Sequence, residues 1–533
     1  MREQKFWGWG EPGAGPRLPS HAAALLRAEL GLSGEVVDRP VALEAVRLRA
    51  PALPAALRLD RIAEVADDRE ARVLRCRGKS YLDLLAQRAG DCLSAPDAVV
   101  RPRDEGQVAA VLRACAEAAV AVVPFGGGTS VVGGLEAARD GFEGVVSLDL
   151  GRMDRVLAVD ARSLTAVLEP GLRLPEADRA LRAHGLRLAH VPQSYEWASV
   201  GGSVATRSAG QSSTGHGRID VNVLGVRCAT PAGDLETLAA PASGAGPSLR
   251  EVVVGSEGVL GVLTRVALRV RPVAALARHE AWLLRSFAEG CEALRALAQG
   301  GAAPDVARLS DETETRVSLA LAGRGGAARR AALAAAGFAG YRGGCLLVLG
   351  WEGDARSVAV RRRAAARALW RARALPAGRA AGEAWAAARF AGPHLRDDLL
   401  DRGALVETLE TATTWTDLGR LREAVIGALA GALGPALVGC HVSHLYPTGA
   451  SVYFTVLAAR DAADPAAQWR RAKAAASDAI AAAGATITHH HAVGRDHVPW
   501  LPREAGPLGL EVLRAVKERC DPAGIMNPGA VLG

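Results

Sequence analysis

The chain has 533 residues, 49% of them hydrophobic and 23% charged, which is too long for one core and too apolar for a disordered protein. Its net charge of +7 would suit anionic ligands or an anionic surface, although scattered, solvated Arg explains it more simply. Eight cysteines form no CxxC pair, so zinc-ribbon and thioredoxin-like chemistry are unsupported and reduced, mostly buried thiols are expected.

Residues 1–95 read as a region of short helices, with 21–30 carrying helical apolar spacing and Gly31 suited to its C-cap. From Val99 an α/β rhythm begins. The patterns predict a helix over 105–119, a strand over 120–124, then strands 145–150 and 165–168 and a helix over 174–184. Strands 224–229, 251–254 and 262–270 complete this part before Pro272. Residues 280–440 are dominated by Ala/Arg/Leu helical patterns, such as 357–374 and 417–432. A strand over 451–457 and a helix over 464–483 lead to a His-rich segment and a closing turn, 521–529. The run 357–379 reads either as a basic helix for a membrane surface or, more simply, as a solvated helix with an Ala-packed inner face. No N-terminal stretch has a signal-peptide pattern, and no window of about 18 uncharged apolar residues suggests a membrane span.

Three glycine-rich elements carry the binding chemistry. Pro124-Phe125-Gly126-Gly127-Gly128-Thr129-Ser130 follows a strand, so its backbone N–H groups can crowd an anion while the two hydroxyls add donors. It is neither a Walker A loop nor a GxGxxG turn, and alone it is a tight turn as readily as an anion site. In residues 192–210, small and hydroxylated residues alternate with glycines, which suits a backbone lying flush against a flat ligand. Residues 255–264 form a glycine turn leading into a strand.

In this order and spacing, the three elements resemble the FAD-binding domain of the vanillyl-alcohol-oxidase type, over roughly residues 97–272. The resemblance implies that Pro124–Ser130 wraps the pyrophosphate. It implies that Gln193, Ser194, Tyr195, Ser199, Gly202, Thr206, Arg207 and Ser208 line the flavin, with Glu257, Gly258, Gly261 and Val262 closing the other side. Many relatives tether the flavin through His or Cys; the Gly-rich loop has neither, so noncovalent FAD is expected.

His489-His490-His491 stand in ATITHHHAVGRDHVPWL, and three adjacent imidazoles each need a partner if buried. A surface metal patch or a crowded turn is the bland alternative. The triplet, followed by Ala492-Val493-Gly494 and Trp500-Leu501, resembles that of alkyldihydroxyacetonephosphate synthases, as does the opening Lys5-Phe-Trp-Gly-Trp-Gly10. That resemblance implies Arg396 as the substrate-phosphate arginine, Arg308 as a second active-site arginine, Tyr453 in proton transfer, and His489, His490 and His491 in acid/base work. It further implies that the flavin bonds to the substrate carbon instead of passing electrons onward. Cys440-His-Val-Ser-His444 departs from the family pattern. On a regular strand His441 and His444 would face opposite ways, so a structural or supporting role is expected for them, and no metal is assigned.

The expected fold class is α+β. It comprises an N-terminal helical region (1–95), a two-part FAD-binding domain (96–275), an α/β substrate-binding cap (276–460) and a helical C-terminal segment carrying the His triplet (461–533). The expected activity exchanges the acyl group of acyl-dihydroxyacetone phosphate for a long-chain alcohol. A flavin-dependent 2-hydroxy-acid dehydrogenase is the alternative, although its His-rich Gly-Asp-Gly-Asn segment is missing. The expected partner is a small phosphorylated lipid, with peripheral membrane contact and a homodimer left open. Nucleic acid is not expected, because the Arg-rich helices lack interleaved aromatics. No peroxisomal address precedes the Trp-Gly opening or closes the chain at Gly533, so a cytoplasmic enzyme is expected.

Overall fold

A computed structural model describes residues 4–136, 138–322 and 335–533. Near-continuous apolar runs make Val120–Phe125 and Gly144–Asp149 strands that are buried on both faces, and they pair in parallel. Ala98–Arg101 adds a third parallel strand, and Glu64–Ala66 closes the edge antiparallel. The helix Glu105–Glu117, N-capped by Asp104, packs Val108, Val111 and Leu112 against this sheet. A second, antiparallel sheet runs in the order Val156–Asp160, Thr165–Leu168, Val262–Arg269, Val223–Thr230, Gly233–Glu236.

The segment 251–254, expected as a strand, instead lies largely in a short helix, Leu249–Val253. Its β-branched run suggested extension, but only Val253 is fully buried, and Gly255 at φ 86° ends the turn. One buried residue in five suits a single helical turn better than a paired strand.

Beyond Pro272 lies a seven-stranded antiparallel sheet. Its order is Leu375–Gly378, Leu276–Leu284, Cys345–Gly353, Val306–Ser310, Ala436–Leu445, Gly449–Ala459, Ala404–Thr414. The helical reading of 280–440 is therefore only part of the picture. Runs such as Cys345-Leu-Leu-Val-Leu are apolar without alternation, and periodicity cannot separate a buried strand of that kind from a buried helix. Helices Phe287–Gln299, Ala355–Arg371, Leu418–Leu433 and Pro465–Ala482 cover one face of the sheet and share its core.

In Ala355–Arg371 the inner face is Val358, Ala365 and Leu369, while Arg361 and Arg362 pair with Asp305 and Glu280. Among the described residues no helix is long and apolar enough to cross a membrane. After the long helix Leu501–Cys520, the chain returns to the first sheet. Ile525 and Met526 are buried in its core, and the Asn527 N–H donates to the Val122 carbonyl at 2.9 Å.

Candidate active site

A cavity of about 440 Å³ lies between the three glycine-rich segments and the seven-stranded sheet. That is the size range of small-molecule and cofactor sites. All seven residues of Pro124–Ser130 line it, together with Gln193, Ser194, Ser199, Gly202, Thr206, Ser208, Glu257, Gly258, Gly261 and Val262. The glycines bring backbone to the cavity wall. A Cβ on Gly126 would meet Ser199 Oγ, and one on Gly127 would press into the Trp197 carbonyl and stand 3.0 Å from Ala198 Cα. Gly128 has φ 67°, a left-handed turn that suits glycine. An anion-receptive backbone loop beside a wall of small residues fits the pyrophosphate and flat ring of FAD.

Two residues expected at the flavin stand off this lining. The Tyr195 hydroxyl donates to Asp178 at 2.8 Å, and its ring stacks on Phe390. Arg207 turns away at φ 50° and donates to the Val254 and Glu251 carbonyls, bracing the short helix before Gly255.

The opposite wall follows from strand register. Glu410, Tyr453 and His441 are direct cross-strand partners on Ala404–Thr414, Gly449–Ala459 and Ala436–Leu445, so they share a face. Two residues along, Thr408 pairs with Thr455 on the same face, and both line the cavity. His444 joins them despite its odd spacing from His441. A bulge interrupts the register between Ser443 and Leu445, and His444 at φ 53° turns inward. The expectation that the two histidines face apart is therefore corrected: both line the cavity.

Tyr453 sits among imidazoles. Its ring stacks on His441 at 4.7 Å between centroids and on His490 at 6.0 Å, and meets His491 edge-on at 5.5 Å. Burial pushes its hydroxyl up to about 12, so it stays a phenol at neutral pH. Burial likewise lowers His489 and His491 to about 3, leaving them neutral proton acceptors. His490 and His491 line the cavity, whereas His489 lies behind them with Nε2 2.6 Å from the Tyr446 hydroxyl.

Sequence reasoning missed what holds this cluster. The buried carboxylate of Glu410 accepts the backbone N–H groups of His489, His490 and His491 at 2.8–3.1 Å and the Thr488 hydroxyl at 2.6 Å. His490 Nδ1 lies 3.3 Å from the same carboxylate. Burial opposes the charge on Glu410, yet His490, by charge and hydrogen bond, holds the carboxyl well below the usual range. The only signal was a pair of acidic residues, Glu407 and Glu410, inside a strand of otherwise apolar residues and threonines. Glu257 performs a similar task from the FAD side, accepting from the Val493 and Gly494 N–H groups at 2.7 and 2.9 Å; burial pushes it up to about 7. Glu314 lies 2.9 Å from His441 Nδ1 and pairs with Arg308, whose Nη1 is 3.1 Å from His441 Nε2.

Arg308 and Arg396 both line the cavity but differ in partners. Glu314 neutralises Arg308. Arg396, on the helix Gly392–Asp401, donates to the Lys79 carbonyl at 2.7 Å, and its Nε is buried without a partner. Among the described residues it forms no salt bridge, although its charge acts on the buried carboxyl of Glu407. The N-terminal opening packs on this helix: Asp397 accepts from the Trp9 N–H at 2.8 Å and pairs with Lys5 at 2.9 Å, while Trp9 reaches the cavity. His444, His489 and His490 bring ring nitrogens within 4.8 Å of one another, a spacing an ion could use, but each ring has a hydrogen-bond partner within the protein.

Residues 96–239 match the FAD binding domain family, and residues 275–531 match the C-terminal domain of FAD linked oxidases. The alkyldihydroxyacetonephosphate synthase of Dictyostelium discoideum is 32% identical over 87% of this chain and 78% of that protein. Its counterpart in Trypanosoma brucei brucei is 31% identical over the same shares. A solved alkyldihydroxyacetonephosphate synthase structure superposes with a TM-score of 0.84 at 28% identity, covering 99% of this chain and 98% of that one. With its FAD-type cavity, its His triplet and a relative of this similarity along most of its length, the chain is an FAD-dependent enzyme and belongs to the alkyldihydroxyacetonephosphate synthase family.

Proposed function

We propose that the enzyme exchanges the acyl group of an acyl-dihydroxyacetone phosphate for a long-chain alcohol, with FAD held noncovalently by Pro124–Ser130 and the residues facing it. The observation that carries this reading is the meeting, in one cavity, of Arg396, which forms no salt bridge among the described residues, with Tyr453 enclosed by His441, His490 and His491. Bound FAD supplies the ring that activates the carbon where the groups exchange. In the reaction one C–O bond to the acyloxy group breaks, one to the alkoxy group forms, and one proton is released with the carboxylate.

Arg396 serves the phosphate, since a guanidinium fork suits a dianion. Tyr453, a phenol at neutral pH, is suited to take part in proton transfer at the reacting carbon, removing and returning the same proton. The imidazoles that line the cavity are suited to accept the proton of the entering alcohol. Apolar wall residues such as Val406 and Trp385 suit an alkyl chain.

The direct test is release of fatty acid and incorporation of labelled long-chain alcohol into acyl-dihydroxyacetone phosphate by the FAD-loaded protein. Absence of incorporation, with flavin reduction by lactate or glycolate, would make it a hydroxy-acid dehydrogenase instead. Heat or acid releases intact FAD and leaves the precipitated protein colourless; yellow colour staying with the denatured chain would refute noncovalent binding. Arg396→Lys keeps the charge but loses the fork. The loss of a charge-assisted hydrogen bond of about 1.5–3 kcal/mol raises KM for the phosphorylated substrate roughly 10- to 100-fold. Flavin content and the response to alcohol concentration stay as in the wild type. An unchanged KM would mean that another cation holds the phosphate.

A further inference from the structure

The reaction releases a proton inside a cavity lined in large part by apolar residues, and that proton needs an exit. His489 is the member of the triplet that does not line the cavity, yet it is hydrogen-bonded at both ring nitrogens. Its Nδ1 lies 3.0 Å from His490 Nδ1, and its Nε2 lies 2.6 Å from the Tyr446 hydroxyl. Tyr446 is only half-buried and occupies the hairpin between Ala436–Leu445 and Gly449–Ala459, beside exposed Pro447 and Thr448. A continuous hydrogen-bonded line therefore runs from a cavity-lining imidazole to a half-buried tyrosine at an exposed hairpin.

We propose that His490, His489 and Tyr446 form a proton relay that joins the active cavity to solvent. The inference rests on the exchange reaction proposed above. His490 uses Nδ1 toward Glu410 and His489, so Nε2 is the nitrogen available to the cavity. In the outward direction the alcohol oxygen gives its proton to His490 Nε2, and His490 Nδ1–H passes a proton to His489 Nδ1. His489 Nε2–H then passes one to the Tyr446 oxygen, and the Tyr446 hydroxyl hydrogen leaves to water. One proton enters, one leaves, and nothing is oxidised or reduced.

Three features keep the line in register. Glu410 fixes the backbone of all three histidines and orients His490 Nδ1. Arg218 donates to the His489 carbonyl at 2.7 Å and is itself held by Asp220, so the His489 ring has a fixed base. His444 stacks on His489 at 5.2 Å between centroids, which limits rotation of the ring. Burial pushes Tyr446 up to about 12, so it works as a neutral phenol that takes one proton as it gives another.

Tyr446→Phe in the FAD-loaded enzyme removes one oxygen and spares the ring. Alcohol exchange should fall on the order of 10²-fold, the lower range for lost acid/base help, with FAD content unchanged. Added imidazole should restore part of the rate, because a small diffusible base can replace a missing relay group but not a missing packing contact. Ring-nitrogen NMR on histidine-labelled protein gives a readout that does not depend on turnover: the His489 Nε2 signal should move in the variant as its partner is lost. Wild-type exchange with no imidazole dependence would overturn the relay. So would an unmoved His489 signal, or a stoichiometric transition-metal ion bound to the purified protein and lost on His489→Ala, since those nitrogens would then be ligands. If the wild type itself performs no exchange, the proposed reaction fails, and the nitrogen shift still decides whether the hydrogen-bonded line exists.

Discussion

Gly127→Val abolishes FAD retention while the seven-stranded half stays folded. The reason is local. Gly127 does not need a left-handed φ, so backbone strain is not the cause. Its Cβ direction points at the Trp197 carbonyl and Ala198 Cα, backbone atoms of the segment that closes on the Gly-rich loop across the cavity. A branched side chain there must force the two segments apart, and both carry cavity-lining residues. Overpacking of this kind costs about 1–3 kcal/mol, and here it falls on the geometry that binds the cofactor. The core of the seven-stranded sheet contains no residue of this loop, so its helices and strands keep their packing. Flavin absorbance after gel filtration, read beside circular dichroism, checks both halves of the expectation. A variant that keeps one FAD per chain would show that the loop does not hold the pyrophosphate.

The parts of this architecture that were legible in the sequence are those written in local pattern. Three glycines at the end of the strand Val120–Phe125 could be read as a backbone site. Three adjacent histidines could be read as polar groups needing partners. What escaped depends on long-range pairing. His441 and His444 have a spacing that puts them on opposite faces of a regular strand, and only the bulge at Ser443, itself a product of pairing with Gly449–Ala459, brings them together. Glu410 is 79–81 residues from the N–H groups it accepts, and an acidic residue in a strand does not show which distant groups it will hold. Tyr195 and Arg207 fell within the right segments, but a segment that touches a ligand turns only some of its side chains toward it. The strands of 280–440 were hidden for a related reason: a strand covered on both faces has no alternation to display.

His490→Ala lowers alcohol exchange about 10²- to 10⁴-fold while leaving FAD bound and the fold intact, the signature of lost acid/base chemistry. The structure explains why the fold should survive. Glu410 holds the triplet through main-chain N–H groups, which an alanine still supplies, so removing the imidazole leaves that anchor in place. Glu410→Ala is the contrasting variant. It strands three buried backbone donors and the Thr488 hydroxyl, each costing about 1–3 kcal/mol when unsatisfied, so several kcal/mol of stability are lost along with the position of every histidine. Exchange, flavin content and melting temperature measured together separate the two outcomes: His490→Ala moves only the first, whereas Glu410→Ala moves the melting temperature as well. Near-normal exchange in a flavin-replete His490→Ala would remove this imidazole from the chemistry and leave Tyr453 and His491 as the groups that handle the proton. A His490→Ala protein that melts as low as Glu410→Ala would instead make the imidazole a structural strut, because its hydrogen bond to Glu410 would then be contributing what the main chain was thought to supply.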